Sequence, residues 1–236
     1  VQRLKDVRGT PATTAPGQGS ATTLNQEAYR RLEEMIVTLE LAPGTLVSEA
    51  ILSRQLGIGT TPIREALQRL AREYLVEIIP RRGVVVTTID VRRQFEVLET
   101  RRELDRLLSS AAARRSNALE RKAFAANFER TEKSVADGDT REFLRLDAEL
   151  NQLLSKAARN ATAAALASTL HTVSRRFWFY HHDQHNPLGE IGPVHCHLVE
   201  AIASGDPARA GHASNRLIDY LTTFAQSTLP HPLTLD

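Results

Sequence analysis

Arg64, Gln68 and Arg72 recur at every fourth position, a spacing that lines them along one face of an α-helix. Ile63, Ala66, Leu67 and Leu70 fall on the opposite face as an apolar stripe,. Arginine and glutamine have the geometry to read base edges in a major groove. The guanidinium fork meets guanine with two hydrogen bonds, and the carboxamide meets adenine in the same way. Upstream, Thr60 and Thr61 supply hydroxyls and, at a helix start, backbone N–H groups that can hold a phosphate,. Downstream, Arg81 and Arg82 precede Gly83 in a turn between two β-branched runs. There a guanidinium can reach a phosphate or a minor groove. Each of these arginines taken singly fits the solvated face of a surface helix equally well. The string as a whole points to duplex DNA.

A second group of polar residues interrupts apolar stripes. Arg101 and Asp105 share a face with Val91, Phe95, Leu98, Leu108 and Ala112. Asp147 and Asn151 share one with Phe143, Leu150 and Leu154, and His195 lies in the stripe of Ile191, Leu198 and Ile202. Buried charges are costly unless paired or bound to something. Five such groups on three inward faces predict an internal polar site. The alternative for Arg101 and Asp105 is a structural i, i+4 pair. Arg175 and Arg176 precede the histidines His181, His182 and His185, and either arginine can reach the same site. The three histidines stand near a helix end before Asn186-Pro187, where histidine serves as a capping or surface group. His197, two residues beyond His195, points elsewhere on a helix.

The elements that position these residues are legible in outline. Ala28, Leu32, Met35, Ile36 and Leu39 recur at helical spacing from Leu24 onward,. Pro43-Gly44 breaks the chain, and Ser48 can cap a second helix through Leu56,. Gly57-Ile58-Gly59 is a tight turn, and Thr61 before Pro62 reads as the N-cap of a third helix,. Leu75 to Ile79 and Val84 to Val86 read as a hairpin. Two helices across a glycine turn followed by a hairpin make a winged helix-turn-helix, whose last helix can lie in the major groove. Residues 91–228 lack strand signals. Their breaks at Gly138, Asn160, Pro187 to Gly192 and Gly205-Asp206-Pro207 leave at least five long amphipathic helices, for which an antiparallel bundle is the economical fold,. The predicted fold is mainly α. Its parts are a disordered tail over 1–23, a winged helix-turn-helix over 24–88, and an all-helical effector-binding and dimerisation domain over 89–230.

Composition sets limits. No apolar run approaches a membrane span and the start lacks a signal-peptide core, so a cytoplasmic, non-membrane protein is expected,. The one cysteine, Cys196, rules out an intramolecular disulfide,. The formal net charge is +2, and the tail alone carries that excess. Residues 24–88 hold eight arginines against eight glutamates. A DNA-binding surface must therefore come from segregation of charge and not from excess.

The stretch Leu41-Ala-Pro-Gly-Thr-Leu-Val-Ser-Glu through Leu56-Gly-Ile-Gly-Thr-Thr-Pro-Ile-Arg-Glu-Ala-Leu-Gln-Arg-Leu to Leu75-Val-Glu and Arg82-Gly83 resembles the N-terminal domain of the GntR transcription regulators. By position the resemblance implies Arg64 as the main operator reader, supported by Thr61, Arg82 and Gly83. This chain departs from the family at Ala50 and Thr60, where arginine is frequent, and both departures remove DNA-facing charge. Val97-Leu-Glu-Thr-Arg-Arg-Glu-Leu-Asp105, Leu146-Asp-Ala-Glu-Leu-Asn151 and His195-Cys-His-Leu-Val-Glu-Ala-Ile-Ala-Ser-Gly-Asp206 are similar to the FCD effector domain of the FadR-like branch. That likeness implies a site for an organic acid, often held with a divalent metal on one Asp and three His. Here the matching positions are Asp147, His195, Asn151 and a place near Leu217. Two strong ligands fall short of a tight zinc site, although an Asn oxygen suits a harder cation. The metal-independent alternative anchors a carboxylate on the fork of Arg101.

The expectation is a homodimeric regulator, not an enzyme, that binds a double-stranded operator and responds to a small carboxylate metabolite. Arg101, Asp147, Asn151, Arg175 and His195 form its effector site, and Asp147, Asn151 and His195 are the metal alternative. The runner-up is a metal-dependent hydrolase built on the histidine-rich half, which lacks a closed ligand set with a general base. A third reading is a winged helix that binds protein.

Overall fold

The computed structural model describes residues 18–182 and 187–229. Helix α1 (Gln18–Val37) starts six residues before Leu24, so residues 18–23 of the expected disordered tail are helical. Residues 1–17 lie outside the described residues. Once the buried stripe of Ala28, Leu32, Met35 and Ile36 has formed the helix, each added residue gains a hydrogen bond,. Between Gln18 and Thr23 there is no proline, and the helix runs on through Gly19 despite its low helix propensity,.

Strand β1 (Leu46–Val47) leads into α2 (Glu49–Leu56). The Ile51 N–H donates to the Ser48 hydroxyl at 3.3 Å, the expected cap,. Gly57 ends α2 at φ 66°, the left-handed conformation that glycine adopts without cost,. Helix α3 (Thr60–Arg72) follows at once, with Gly59 as its N-cap and no side-chain capping bond. Thr61 is therefore not the cap. The glycine turn delivers the chain into helical geometry earlier, and Thr60 and Thr61 both stand in the first turn. Pro62 is tolerated there because the first N–H groups of a helix have no intrahelical acceptor.

Strands β2 (Val76–Ile79) and β3 (Gly83–Val86) form the hairpin. The sheet order is β1-β3-β2, antiparallel throughout, with Val84 facing both Val47 and Ile78 in register. Strand β1 has two residues, too few to show an alternating pattern. Leu32, Ile36, Leu52, Ile63, Leu67, Leu70 and Leu75 are fully buried in this domain's core.

Six helices make the second domain: α4 (Val91–Arg115), α5 (Ala118–Ala136), α6 (Thr140–Ala157), α7 (Ala161–His181), α8 (Pro187–Ser204) and α9 (Pro207–Ser227). Asp90, Asn117, Asp139, Asn160 and Asp206 cap α4, α5, α6, α7 and α9 in turn. Asn117 and Glu120 form a reciprocal capping box,. The long α4 packs on both α7 and α9, and its Leu98 and Leu108 share a core with Phe124, Leu150, Phe177, Trp178 and Phe224. Val37, the last residue of α1, belongs to this second core. The first helix therefore anchors in both domains. No described helix is long and apolar enough to cross a membrane.

Candidate functional site

Helix α3 buries Ile63, Ala66, Leu67 and Leu70 and leaves Thr60, Thr61, Arg64, Gln68 and Arg72 exposed. Its outward face is open along the whole helix. Arg64 is held by Glu49 on α2, Nε and Nη2 reaching the carboxylate at 2.7–3.1 Å. An exposed pair of this kind adds little stability, but it fixes the guanidinium at the mouth of the helix-turn-helix. Glu49 was not singled out from the sequence, since its contact with Arg64 spans two helices. Arg69 turns the other way. It stacks 3.6 Å from the centroid of the Tyr29 ring and donates to Glu73 at 3.0 Å.

Arg81 and Arg82 are exposed at the hairpin tip, Arg81 at φ 64°. Gly83 stands at φ 121°, and a Cβ there would lie 2.6 Å from the Val47 carbonyl oxygen. Only glycine lets β3 approach β1 that closely, and this contact sets the angle of the wing against the helices.

The internal polar site is formed by α4, α6, α7 and α8. Arg101, Asp147, Arg175 and His195 line one cavity of about 30 Å³, with Trp178 and Leu217 also in its wall. His195 Nε2 lies 2.9 Å from Asp147 Oδ1, and Asn151 donates to Asp147 Oδ2 at 3.1 Å. Arg175 Nη1 lies 3.7 Å from Asp147. Burial pushes the Asp147 carboxyl up, but the His195 hydrogen bond and charge, with Arg175 and Arg101, outweigh it and hold the group well below the usual carboxylate range,. Arg101 donates to Asp105 through Nε at 3.0 Å and pairs through Nη2 at 2.9 Å. His171 Nε2 meets the other Asp105 oxygen at 2.7 Å. Burial raises the Asp105 carboxyl as well, and Arg101 and His171 together bring it below its usual value.

The Arg101 fork is thus already engaged within α4, as the structural-pair alternative has it. His195 Nδ1 and Arg175 Nε are among the buried polar atoms beside the cavity that lack a partner among the described residues. Asn151 does not line this cavity. It lines, with His171 and Arg175, an outer cleft of about 530 Å³ between α1 and the second domain. His171 escaped the sequence reading, although it falls four residues after Ala167 in the buried stripe of α7.

Arg175 joins the two cavities and the two domains. It forms an ion pair with Glu33 of α1, and Glu33 accepts from the Thr172 hydroxyl at 2.6 Å. Glu34 with Arg145 at 2.8 Å and Glu40 with Arg141 at 2.9 Å make further bridges between the domains. Of these bridging arginines, Arg175 alone lines the inner cavity.

Asp147 and His195 stand together as the metal alternative requires, but the remaining donors do not fit a tight site. Leu217 presents aliphatic carbon at the cavity wall, and Asn151 is turned to the outer cleft. Among the described residues no three His, Cys, Asp or Glu side chains converge on a point that could hold an ion. His197 is exposed away from His195, and His181 sits at the end of α7 in ring contact with Phe177. His185 lies outside the described residues.

Comparison with known proteins agrees with this geometry. Residues 24–86 match the family model described as bacterial regulatory proteins, gntR family, and residues 96–220 match the FCD domain model. The HTH-type transcriptional repressor RspR of Escherichia coli (strain K12) is 27% identical over 192 residues, 78% of this chain and 80% of that protein. A regulator in an unstable DNA locus of Streptomyces ambofaciens is 41% identical over 76 residues, 32% of each chain. The match to YdhC of Bacillus subtilis (strain 168) spans 59% of that relative's length. Among solved structures, E. coli McbR/YncC superimposes with a TM-score of 0.75 at 18% identity, covering 86% of this chain and 97% of that one. A GntR regulator of Rhodococcus sp. RHA1 reaches 0.68 at 18% identity, covering 88% and 100%. At that identity the likeness concerns the fold. A family of regulators also displaces the hydrolase alternative: the chain belongs to the GntR family of bacterial transcription regulators, in the FadR-like branch with a C-terminal FCD domain.

Proposed function

We propose that the protein reads an operator with α3 and the wing, as a homodimer on two half-sites, and that a small organic acid held at the FCD cavity sets its affinity. The observation that carries the DNA reading is the open face of α3. Arg64, Gln68 and Arg72 are exposed along its length while the opposite face is buried. Arg81 and Arg82 on the wing add sequence-independent phosphate contacts. Two half-sites supply the affinity that one small reading helix lacks, and a symmetric dimer matches them.

For the effector, the support is the pair of unpartnered polar atoms, His195 Nδ1 and Arg175 Nε, beside a cavity that holds two arginines. The donor set favours a metal-independent site. A cavity of about 30 Å³ admits only a small group, so the acid enters from the outer cleft at Arg175 and moves that side chain.

Selection from random duplexes, followed by affinity measurements across salt concentrations, tests the DNA reading. Specific binding should weaken steeply with salt. Arg64→Ala should cost about 1–3 kcal/mol of specific affinity, or roughly 5- to 150-fold, with helicity unchanged. Wild-type affinity in that variant would remove α3 as the reading element.

A further inference from the structure

Arg176 neighbours Arg175 on α7 but serves neither the effector cavity nor the contact with α1. Its side chain is 3% exposed. Its hydrogen bonds run from Nη1 to the Thr87 hydroxyl at 2.9 Å and from Nη2 to the Thr87 carbonyl oxygen. Among the described residues Nε has no partner and no carboxylate pairs with the guanidinium. Burial alone pulls its pKa down, to about 10, so it stays protonated at neutral pH. A buried cation without a counter-charge costs several kcal/mol, on the order of the stability of a small domain. Every other buried arginine described above faces an acid.

The surroundings are arranged to supply that counter-charge from outside. Arg176 lines a cavity of about 30 Å³ together with Thr88, Asp90, Arg93 and Gln94. That is room for a halide or a one-carbon carboxylate, on the order of one or two water-sized groups. Arg93 reaches over the Tyr74 ring at 4.2 Å and brings a second cation to the rim. The start of α4 lies here as well, with the positive end of its dipole toward the cavity,. Asp90, the one acid at this place, accepts the Arg92 N–H at 2.8 Å as the helix cap and makes no ion pair with Arg176. Gln94 donates to the Ser174 hydroxyl at 2.9 Å and contributes no charge.

We infer that the cavity bounded by Arg176, Arg93 and the first turn of α4 is a binding site for a small monoanion, of the halide or formate class, at the joint between the two domains. The site is separate from the effector cavity and stands whether or not that cavity takes an acid. Thr87, which Arg176 holds, is the first of the three residues between β3 and the helix cap Asp90. An anion here neutralises the guanidinium and fixes the segment that connects the wing to α4.

Calorimetric melting of the full chain, with sodium formate replacing sodium gluconate at constant ionic strength, tests the inference. Gluconate is too large for the cavity. Formate should raise the melting temperature saturably, by about 3–6 °C at roughly ten times the half-saturating concentration. Arg176→Met should lose that rise. Bromide soaked into wild-type crystals provides a readout that does not depend on the variant folding, as an anomalous peak beside the Arg176 guanidinium. Equal melting in the two salts, the same rise in R176M, or bromide-soaked crystals with no peak at that place would overturn it.

Discussion

At the scale of single residues, the cavity is governed by how its charges are compensated. Asp105 and Asp147 are carboxylates that burial alone would neutralise, yet Arg101, His171, Arg175 and His195 surround them closely enough to keep them ionised. Replacing Arg101 would leave Asp105 buried against His171 alone, so Arg101→Ala would report lost stability before lost sensing. The acid side is the better probe. An aspartate held below its unfolded value of about 3.9 contributes stability that is complete above that pH and is lost as the pH falls through the folded value. Denaturant midpoints of the wild type and Asp147→Asn should therefore diverge in slope as the pH falls below about 4. The wild type should lose stability more steeply on acidification, because its unfolded chain takes up a proton at Asp147 that the folded chain does not,. Parallel curves would mean that Asp147 titrates alike in the folded and unfolded chains.

At the scale of elements, the wing shows how one residue fixes the pose of a whole hairpin. Gly83 combines a positive φ of 121° with a Cβ position 2.6 Å from the Val47 carbonyl. Gly83→Ala must move either β3 or β1, and the backbone conformation alone costs about 1–3 kcal/mol. We expect the winged domain to melt earlier while the FCD bundle keeps its own transition, with DNA affinity falling because Arg81 and Arg82 lose their placement. Two-domain calorimetry separates these outcomes, and an unshifted first transition would refute the close-approach argument. The same elements show where sequence periodicity suffices. Helix α3, the hairpin and the stripes of α4 and α6 stand out because alternating burial writes itself into residue type. The start of α3 was misplaced by the attraction of Thr61-Pro62 as a cap signal, and two-residue β1 is too short for any period. The break between α4 and α5 is not among the breaks expected from the sequence, although Asn117 and Glu120, a capping-box pair three residues apart, carry the signal for it,. The polar residues of the cavity could be named from their stripes. Glu33 could not, because its contact between α1 and α7 leaves no local pattern, whereas His171, the α7 partner of Asp105 on α4, lay in a buried stripe that could have marked it.

At the scale of the whole molecule, what matters is how the cavity and α3, the proposed reading helix, share a link. Arg175 carries it: on one side it faces Asp147 in the cavity, and on the other it pairs with Glu33 of α1. Helix α1 packs directly on α3 and ends in the FCD core, so its position sets that of the reading helix. Asp105, Asp147 and Glu33 supply three negative charges against Arg101 and Arg175. On the proposed function, an acid entering the cavity must therefore compete with Glu33 for the Arg175 guanidinium. Whatever the acid gains at Arg175 is lost to the contact with α1, and linkage makes the effect reciprocal. Glu33→Gln removes the competing charge and keeps an oxygen for the Thr172 hydroxyl. An acid found by thermal-shift screening of small carboxylates should then bind this variant about 5- to 20-fold more tightly, while its effect on DNA affinity shrinks, since coupling energies of this kind run to about 1–3 kcal/mol. Titration calorimetry gives the first quantity and operator binding with and without the acid gives the second. Tighter acid binding with full coupling would place the transmission elsewhere, in the Glu34–Arg145 or Glu40–Arg141 bridges. Unchanged affinity and unchanged coupling together would show that Glu33 and the effector never meet at Arg175.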